Sequence, residues 1–294
     1  MKRSIFRGVG TALITPFAER GVDFPAFERL IDFQLENGVD ALVVAGTTGE
    51  SSVLSPEEYR DLVTCAVEKT AGRVPVIVGT GANDTAKAME KTALACRLGA
   101  DAVLLVTPYY NKTTQRGLIA HYQAIADVSE KPCILYNVPS RTGLNLAPET
   151  VCALSKHPRI AALKEAGGNL SQVARVRRLC GDDLTVYSGS DDQTLPILSL
   201  GGQGVISVAS NVVPAQMSRM TDAWFAGDTE KAAELQLALL DLMNQLMIET
   251  NPIPAKAACA ALGFGENRLR LPLVPMEPDH EARLMELLEE ARKI

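Results

Sequence analysis

Short apolar runs alternate with stretches of helical periodicity along most of the chain, and this alternation limits the fold more than any other feature. Each run is rich in β-branched residues and is followed by a polar loop and a helical pattern. Their apolar residues are continuous, which is typical of strands buried on both faces. Eight such runs occur, at residues 8–15, 41–45, 74–79, 101–107, 132–137, 160–164, 184–188 and 204–208.

Helix start signals stand between these runs. Ser55 is followed by Pro56 and by Glu58, which predicts a capped helix. Asp23 precedes a helical pattern that Gly38 closes, and Asn169 opens another helix. Eight β/α units predict an α/β fold, a closed (β/α)₈ TIM barrel. A doubly wound open sheet is the alternative, but the glycine fingerprint that often accompanies it is missing.

The strand pattern stops after Gly227, and we therefore expect two parts. Residues 1–227 are predicted to form the (β/α)₈ catalytic barrel, and residues 228–294 a C-terminal helical appendage. Residues 228–250 are expected to form one long helix, which the prolines of the Asn251-Pro252-Ile253-Pro254 segment interrupt. Two more helices should follow, capping the barrel or making a subunit contact.

Composition excludes several classes of function. The net charge is −6, no basic patch occurs and aromatic residues are only 5%, so neither nucleic acid nor an anionic membrane is an expected partner. No apolar run approaches the ~20 residues that cross a bilayer. The basic start lacks an apolar core, so no signal peptide is expected. Six scattered cysteines indicate reduced thiols and a cytoplasmic location. None of the three histidines has another histidine four residues away and no HExxH motif occurs, so no metal site is expected.

Lys164 is the leading candidate for a reactive group. It ends the apolar run at 160–164, where burial would lower the pKa of its ammonium group. A neutral lysine amine can attack a carbonyl and form a Schiff base. Taken alone, however, Lys164 fits a structural lysine that pairs with Glu165 or another acid better than it fits a nucleophile.

Other polar residues follow the remaining strands, at the end of a barrel where catalytic groups gather. They include threonines in the glycine-bounded loop 46–51, tyrosines after the fourth and in the fifth strand, and Arg141, which could clamp a carboxylate. Each also has a plainer interpretation, as a turn, a packed ring or a solvated charge. Together with Lys164 they suggest carbonyl chemistry through an imine.

These segments resemble the dihydrodipicolinate synthase family, of the pyruvate-dependent class I aldolase group that includes N-acetylneuraminate lyase. The resemblance covers essentially the whole chain. Its motifs are GTTGES at 46–51, TPYYN at 107–111, YNVPSRTG at 136–143, KEAGGNL at 164–170, SGSDD at 188–192, GGQGVISVASN at 201–211 and NPIPAKAA at 251–258.

The resemblance implies a Schiff base between pyruvate and Lys164, with Tyr136 as the proton-transfer residue. Thr47 and Tyr110 would complete a hydroxyl relay, Tyr110 coming from a neighbouring subunit. The resulting enamine would attack L-aspartate 4-semialdehyde, as in diaminopimelate and lysine biosynthesis. No cofactor is expected, because the iminium is itself the electron sink.

The resemblance also implies the groups that bind the substrates. Thr48 would bind the pyruvate carboxylate, Gly189 and Ile206 would line the pyruvate pocket, and Arg141 would hold the semialdehyde carboxylate. A sugar-acid aldolase of the N-acetylneuraminate lyase type is an alternative that Arg141 disfavours. A non-catalytic small-molecule-binding barrel is a further alternative.

Two more expectations rest on the resemblance. The enzyme should be a homotetramer, and inhibition by lysine should be weak or absent. Lysine-sensitive members carry histidines where this chain has Pro56 and Tyr59, and an acid where it has Lys87. Lys87 would repel the charge of the ligand.

Overall fold

A computed structural model describes residues 4–294 of the chain. The first three residues, part of the basic start for which no signal peptide is expected, lie outside the described residues. Within residues 4–294, no helix combines the length and the apolar character that crossing a bilayer requires.

Eight parallel strands form a closed barrel, which confirms the predicted TIM barrel. Each strand pairs with its neighbour in sequence, and the first strand also pairs with the eighth through Gly8 and Gly204. This last pairing closes the sheet, so the open doubly wound alternative is wrong. The strands are β1 (Gly8–Ala12), β2 (Ala41–Val44), β3 (Val76–Gly79), β4 (Ala102–Val106), β5 (Cys133–Asn137), β6 (Ile160–Glu165), β7 (Thr185–Ser188) and β8 (Gly204–Ser207).

Helices connect the strands, and four helices of the described residues follow the last strand. They are α1 (Phe24–Glu36), α2 (Pro56–Thr70), α3 (Thr85–Arg97), α4 (Gln115–Val128), α5 (Pro139–Thr142), α6 (Pro148–Leu154), α7 (Leu170–Cys180), α8 (Thr194–Ser199), α9 (Pro214–Ala226), α10 (Thr229–Gln245), α11 (Ile253–Ala261) and α12 (Pro278–Ala291).

The helix starts follow the capping signals of the sequence. Ser55 Oγ accepts a hydrogen bond from the Glu58 N–H, and the Glu58 carboxylate accepts one from the Ser55 N–H. Asp23 and Asn169 cap α1 and α7 in the same way, each accepting from a backbone N–H three residues later. These bonds satisfy donors that a helix cannot satisfy within itself.

The strands are buried on both faces, as their continuous apolar runs predict. On β2, Ala41 and Val43 point into the barrel, while Leu42 and Val44 pack against the surrounding helices. The barrel interior is therefore a packed core, and the catalytic groups of such barrels lie at the ends of the strands. All six cysteines are free thiols, four of them buried.

The C-terminal part differs from the prediction at one boundary. Helix α10 ends at Gln245 rather than at residue 250, because residues 246–252 form tight turns before α11. Asp228 lies outside the helix as its N-cap, accepting from the Lys231 N–H. Pro252 precedes α11, and Pro254 lies in its first turn. The first N–H groups of a helix have no partner within it, so the N–H that proline lacks costs nothing there.

Candidate active site

Lys164 is the second-to-last residue of β6 and pairs with Tyr136 on β5 and with Tyr187 on β7. It is only 5% exposed, and its Nζ lies 4.4 Å from the centroid of the Tyr136 ring. Burial lowers the pKa of the Lys164 ammonium to about 8; the charge of Asp191 opposes this shift and that of Arg141 adds to it. A substantial fraction of the amine is then neutral near pH 8.

Glu165 is not the partner of Lys164. Successive strand residues point to opposite faces, and Glu165 turns towards Asn137, Gly167 and Gln172. The interpretation of Lys164 as half of an ion pair with Glu165 is therefore wrong. Across residues 4–294, no side chain contacts the Lys164 Nζ at hydrogen-bond or ion-pair distance.

Tyr136 faces the barrel interior one strand away from Lys164. Burial raises the pKa of its hydroxyl, while the charge of Arg141 and a hydrogen bond with Thr47 lower it. Tyr136, Thr47 and Lys164 thus form one cluster. A phenol that stays protonated can pass a proton between a neighbour and a substrate without carrying a charge itself.

The loop after β2 carries Thr47 and Thr48. Thr48 is 3% exposed, and its Oγ1 accepts a hydrogen bond of 2.9 Å from the Asn251 side chain. Two residues further on, Glu50 adopts a left-handed conformation, with φ +50°, and pairs with Lys256 at 2.5 Å. The C-terminal helices thereby hold the threonine loop in place.

Of the two residues predicted to line the pyruvate pocket, Gly189 lies beside Lys164. A Cβ added to Gly189 would lie 2.8 Å from the Cβ of Ala166 and 3.1 Å from the Cε of Lys164. Only glycine leaves that space open beside the amine. Ile206 on β8 is fully buried in the interior cluster that includes Tyr136, and its place in the pyruvate pocket stays a prediction.

Arg141 lies on the short helix α5 rather than in a loop, because Pro139 starts a helical turn and Gly143 ends it. Its side chain is exposed and donates to the main-chain oxygen of Asn251 at 3.0 Å. Arg141 lines a cavity of about 250 Å³ together with Thr47 and Tyr109. Because Thr47 also hydrogen-bonds to Tyr136, we interpret this cavity as the entrance to the cluster around Lys164.

Tyr110 is the exception among the candidate residues. It is 90% exposed, has φ +70° and does not line the cavity that contains Thr47 and Arg141. Of the predicted relay, only Tyr136 and Thr47 lie together within one chain, and the relay itself, with a contribution from Tyr110 of another copy, stays a prediction.

The structure adds two residues that the sequence interpretation did not assign. Asp191 is buried, and its Oδ2 accepts from the N–H groups of Val208 and Ala209. Burial raises the pKa of this carboxyl, while these bonds and Lys164 lower it. Asn251 contacts both Thr48 and Arg141. The SGSDD and NPIP motifs marked both segments but did not say which residue faces the site.

The part of the chain that the structure describes holds no cluster of three or more His, Cys, Asp or Glu side chains placed to bind a metal ion. What it does hold is a buried and unpaired amine, two hydroxyl groups beside it, and an exposed guanidinium at the entrance. This set suits a small carbonyl compound that carries a carboxylate.

Comparison with known proteins gives a consistent result. Residues 5–291 match the model of the dihydrodipicolinate synthetase family. The 4-hydroxy-tetrahydrodipicolinate synthase of Alkaliphilus oremlandii (strain OhILAs) is 53% identical over 282 residues, which is 96% of this chain and 97% of that protein.

Solved structures agree with the sequence matches. The dihydrodipicolinate synthase of Thermotoga maritima is 45% identical, with a TM-score of 0.97 over 99% of this chain and 100% of that one. The enzyme of Cyanidioschyzon merolae with lysine bound is 43% identical, with a TM-score of 0.96 over 99% and 100% of the two chains.

Proposed function

The chain belongs to the dihydrodipicolinate synthetase family and is a lyase of the 4-hydroxy-tetrahydrodipicolinate synthase type, and from this premise we propose how its site works. Its substrates are pyruvate and L-aspartate 4-semialdehyde, and Lys164 is the nucleophile. In this proposal residues 1–227 are the catalytic barrel and residues 228–294 an appendage that supports the site.

The first half of the reaction activates pyruvate. The neutral amine of Lys164 attacks C2 of pyruvate, and loss of water gives an iminium that links Nζ to C2. Loss of a proton from the methyl carbon converts the iminium to an enamine, whose electrons the iminium nitrogen receives. No other electron sink is needed, because the protonated imine stabilises the developing negative charge.

The second half joins the two substrates. The methyl carbon of the enamine attacks the aldehyde carbon of the semialdehyde, forming a carbon–carbon bond and an alkoxide that takes up a proton. The amino group of the semialdehyde then adds to C2 and displaces Lys164, which closes the ring and returns the free amine. Tyr136 and Thr47 carry the protons of these steps, and Tyr110 of a neighbouring subunit extends the relay.

Two groups hold the carboxylates of the substrates at either end of the site. Thr48 donates a hydrogen bond to the pyruvate carboxylate, while Gly189 and Ile206 enclose the rest of pyruvate. Arg141 binds the carboxylate of the semialdehyde at the entrance, where a charged hydrogen bond contributes about 1.5–3 kcal/mol.

The observation that carries the proposal is the state of Lys164, which is buried, has a lowered pKa and has no ionic partner. Incubation with pyruvate and borohydride should yield a covalent adduct on Lys164, located by mass spectrometry after digestion. An assay with both substrates should show turnover. No adduct would favour the non-catalytic barrel, and an adduct that turns over only with sugar aldehydes would favour the sugar-acid aldolase.

We also propose that the enzyme is a cytoplasmic homotetramer. The exposure of Tyr110 supports an assembly in which a second copy covers this ring. The free thiols of all six cysteines suit a reducing compartment. Light scattering at the assay concentration tests the oligomer, and a fully active monomer would contradict it.

The proposal includes weak or absent inhibition by lysine. Pro56, Tyr59 and Lys87 line one cavity of about 380 Å³, so Lys87 does not point away from it. Lys91 lines it as well, and burial and the charge of Lys87 lower the pKa of Lys91. The ammonium of a lysine ligand would enter a region that is already positive.

Activity across a lysine titration into the millimolar range is the measurement that tests this proposal. We expect little inhibition, whereas the Lys87→Glu variant should bind lysine about tenfold more tightly, the effect of roughly 1.4 kcal/mol. Half-inhibition of the unmodified enzyme at submillimolar lysine would show that the charge argument is wrong.

A further inference from the structure

Asn251 connects two parts of the site that come from different loops. It lies between α10 and α11 and is 7% exposed. Its Nδ2 donates to Thr48 Oγ1 at 2.9 Å, and its main-chain oxygen accepts from Arg141 NH2 at 3.0 Å. One residue outside the barrel strands therefore contacts the groups proposed to bind the two substrate carboxylates.

We infer that Asn251 is a positioning residue that orients the Thr48 hydroxyl towards the pyruvate carboxylate and holds it at a set distance from Arg141. The inference rests on the proposed function. It assigns to the C-terminal appendage a direct part in the binding of pyruvate, separate from any role in stability.

The direction of the hydrogen bond gives Asn251 this role. A threonine hydroxyl has one proton to donate and lone pairs that accept. Since the Asn251 amide donates to the Thr48 oxygen, the proton of Thr48 remains available for a bound anion. An acceptor in place of that amide would take the proton and leave the pyruvate carboxylate without its donor.

The backbone at position 251 is held independently of the side chain. The Ile253 N–H donates to the Thr250 oxygen, and the Lys256 N–H donates to the Pro252 oxygen at the start of α11. Helix α11 is tied to the threonine loop by the buried pair of Lys256 and Glu50. A side-chain substitution at 251 should therefore leave the contact between Arg141 and the main-chain oxygen in place.

Two substitutions separate orientation from packing. Asn251→Ala removes the donor, whereas Asn251→Asp keeps the shape and replaces the donor by a charged acceptor. We expect the KM for pyruvate to rise about tenfold in the alanine variant and roughly a further tenfold in the aspartate variant, the range of one hydrogen bond to a charged group. The KM for the semialdehyde should change by less than about threefold, because the Arg141 contact does not use the side chain.

Asn244→Asp is the matched control, because it makes the same change of charge at an exposed residue of α10. It should leave both KM values unchanged. The pyruvate concentration that gives half-maximal borohydride trapping should follow the pyruvate KM in every variant. Thermal unfolding shows which variants are folded at the assay temperature, so that a loss of folded enzyme is not read as a loss of binding.

A double-mutant cycle with Thr48→Val completes the test. If Asn251 acts through the Thr48 hydroxyl, Asn251→Asp should raise the pyruvate KM much less in the Thr48→Val background than in the unmodified enzyme. Equal effects in both backgrounds, or equal KM values for the alanine and aspartate variants, would overturn the inference. Failure of the unmodified enzyme to form any pyruvate adduct would instead refute the proposed function.

Discussion

The chain buries two lysines near the carboxyl ends of the barrel strands, and burial lowers the pKa of each ammonium group to about 8. Their surroundings differ. Lys256 pairs with Glu50 at 2.5 Å, donates to the Arg268 oxygen at 2.7 Å and lies over the ring of Phe17. The Lys164 ammonium lies over the Tyr136 ring and beside the space that Gly189 leaves open, and no ion pair or hydrogen bond holds it within the described residues.

A lowered pKa is therefore not what distinguishes a nucleophilic lysine in this protein. Both amines can lose a proton near pH 8, but the nitrogen of Lys256 is enclosed by its partners and is 1% exposed. An amine reacts only if a carbonyl carbon can approach its lone pair. The same side chain thus serves as a structural tie in α11 and, in the proposed mechanism, as the reactive group in β6.

The largest expected effect comes from removing the nucleophile. Lys164→Met should abolish both the pyruvate adduct and turnover, because among the described lysines only Lys164 lies over the Tyr136 ring and beside Gly189. The variant should fold, since methionine fills a similar volume without the cost of burying a charge. Mass spectrometry after borohydride treatment measures the first effect, and chemical denaturation the second.

An adduct that moves to Lys256 in this variant would break the comparison, because it would mean that the enclosed amine is also accessible. Lys164→Arg is the matched control that keeps the charge. Guanidinium is not deprotonated in proteins, so this variant should form no adduct either.

The complementary change at Lys256 should act on stability. Lys256→Met leaves Glu50 buried without its ionic partner, which costs about 3–5 kcal/mol in the free energy of unfolding. Denaturant unfolding measures this loss, and the fraction of enzyme that stays folded should still form the adduct on Lys164. The double variant Lys256→Met with Glu50→Gln should recover much of the stability, because the stranded charge is gone. Equal losses in the single and double variants would show that packing, and not the unpaired carboxylate, dominates.

The fold could be predicted almost completely from the sequence. Strands buried on both faces have a pattern of continuous apolar residues, and the capping residues of α1, α2 and α7 are local signals. The boundary of α10 could not be predicted, because the turns at residues 246–252 carry no glycine and the first proline comes only at residue 252. Local patterns identify where elements start better than where they end.

The site could be predicted in part. Lys164 was identifiable because it interrupts an apolar strand at its end. The roles of Asn251, Lys256 and Asp191 depend on contacts with residues between 17 and about 200 positions away, which no local pattern encodes. The family motifs include all three residues. They do not indicate that Asn251 contacts Thr48, that Lys256 pairs with Glu50 or that the charge of Asp191 acts on Lys164.

The smallest expected effect concerns the acid that influences Lys164 from a distance. Asp191 raises the pKa of Lys164 against the effect of burial. Asp191→Asn removes that charge and keeps an oxygen that can accept from the N–H groups of Val208 and Ala209. The pKa of Lys164 should fall by up to about one unit, which corresponds to 1.36 kcal/mol.

The pH dependence of adduct formation measures this shift, because only the neutral amine attacks pyruvate. In the unmodified enzyme the rate should rise with pH through about 8 and then level off. In Asp191→Asn the same rise should occur at lower pH, so that at pH 7 a larger share of the maximal rate is reached. Asp192→Asn, an exposed neighbour with the same change of charge, should move the profile much less, since water screens its charge. An unmoved profile in Asp191→Asn would mean that burial keeps the Asp191 carboxyl protonated and neutral. Lys164 would then feel no charge from Asp191, and its difference from Lys256, which pairs with Glu50, would be larger still.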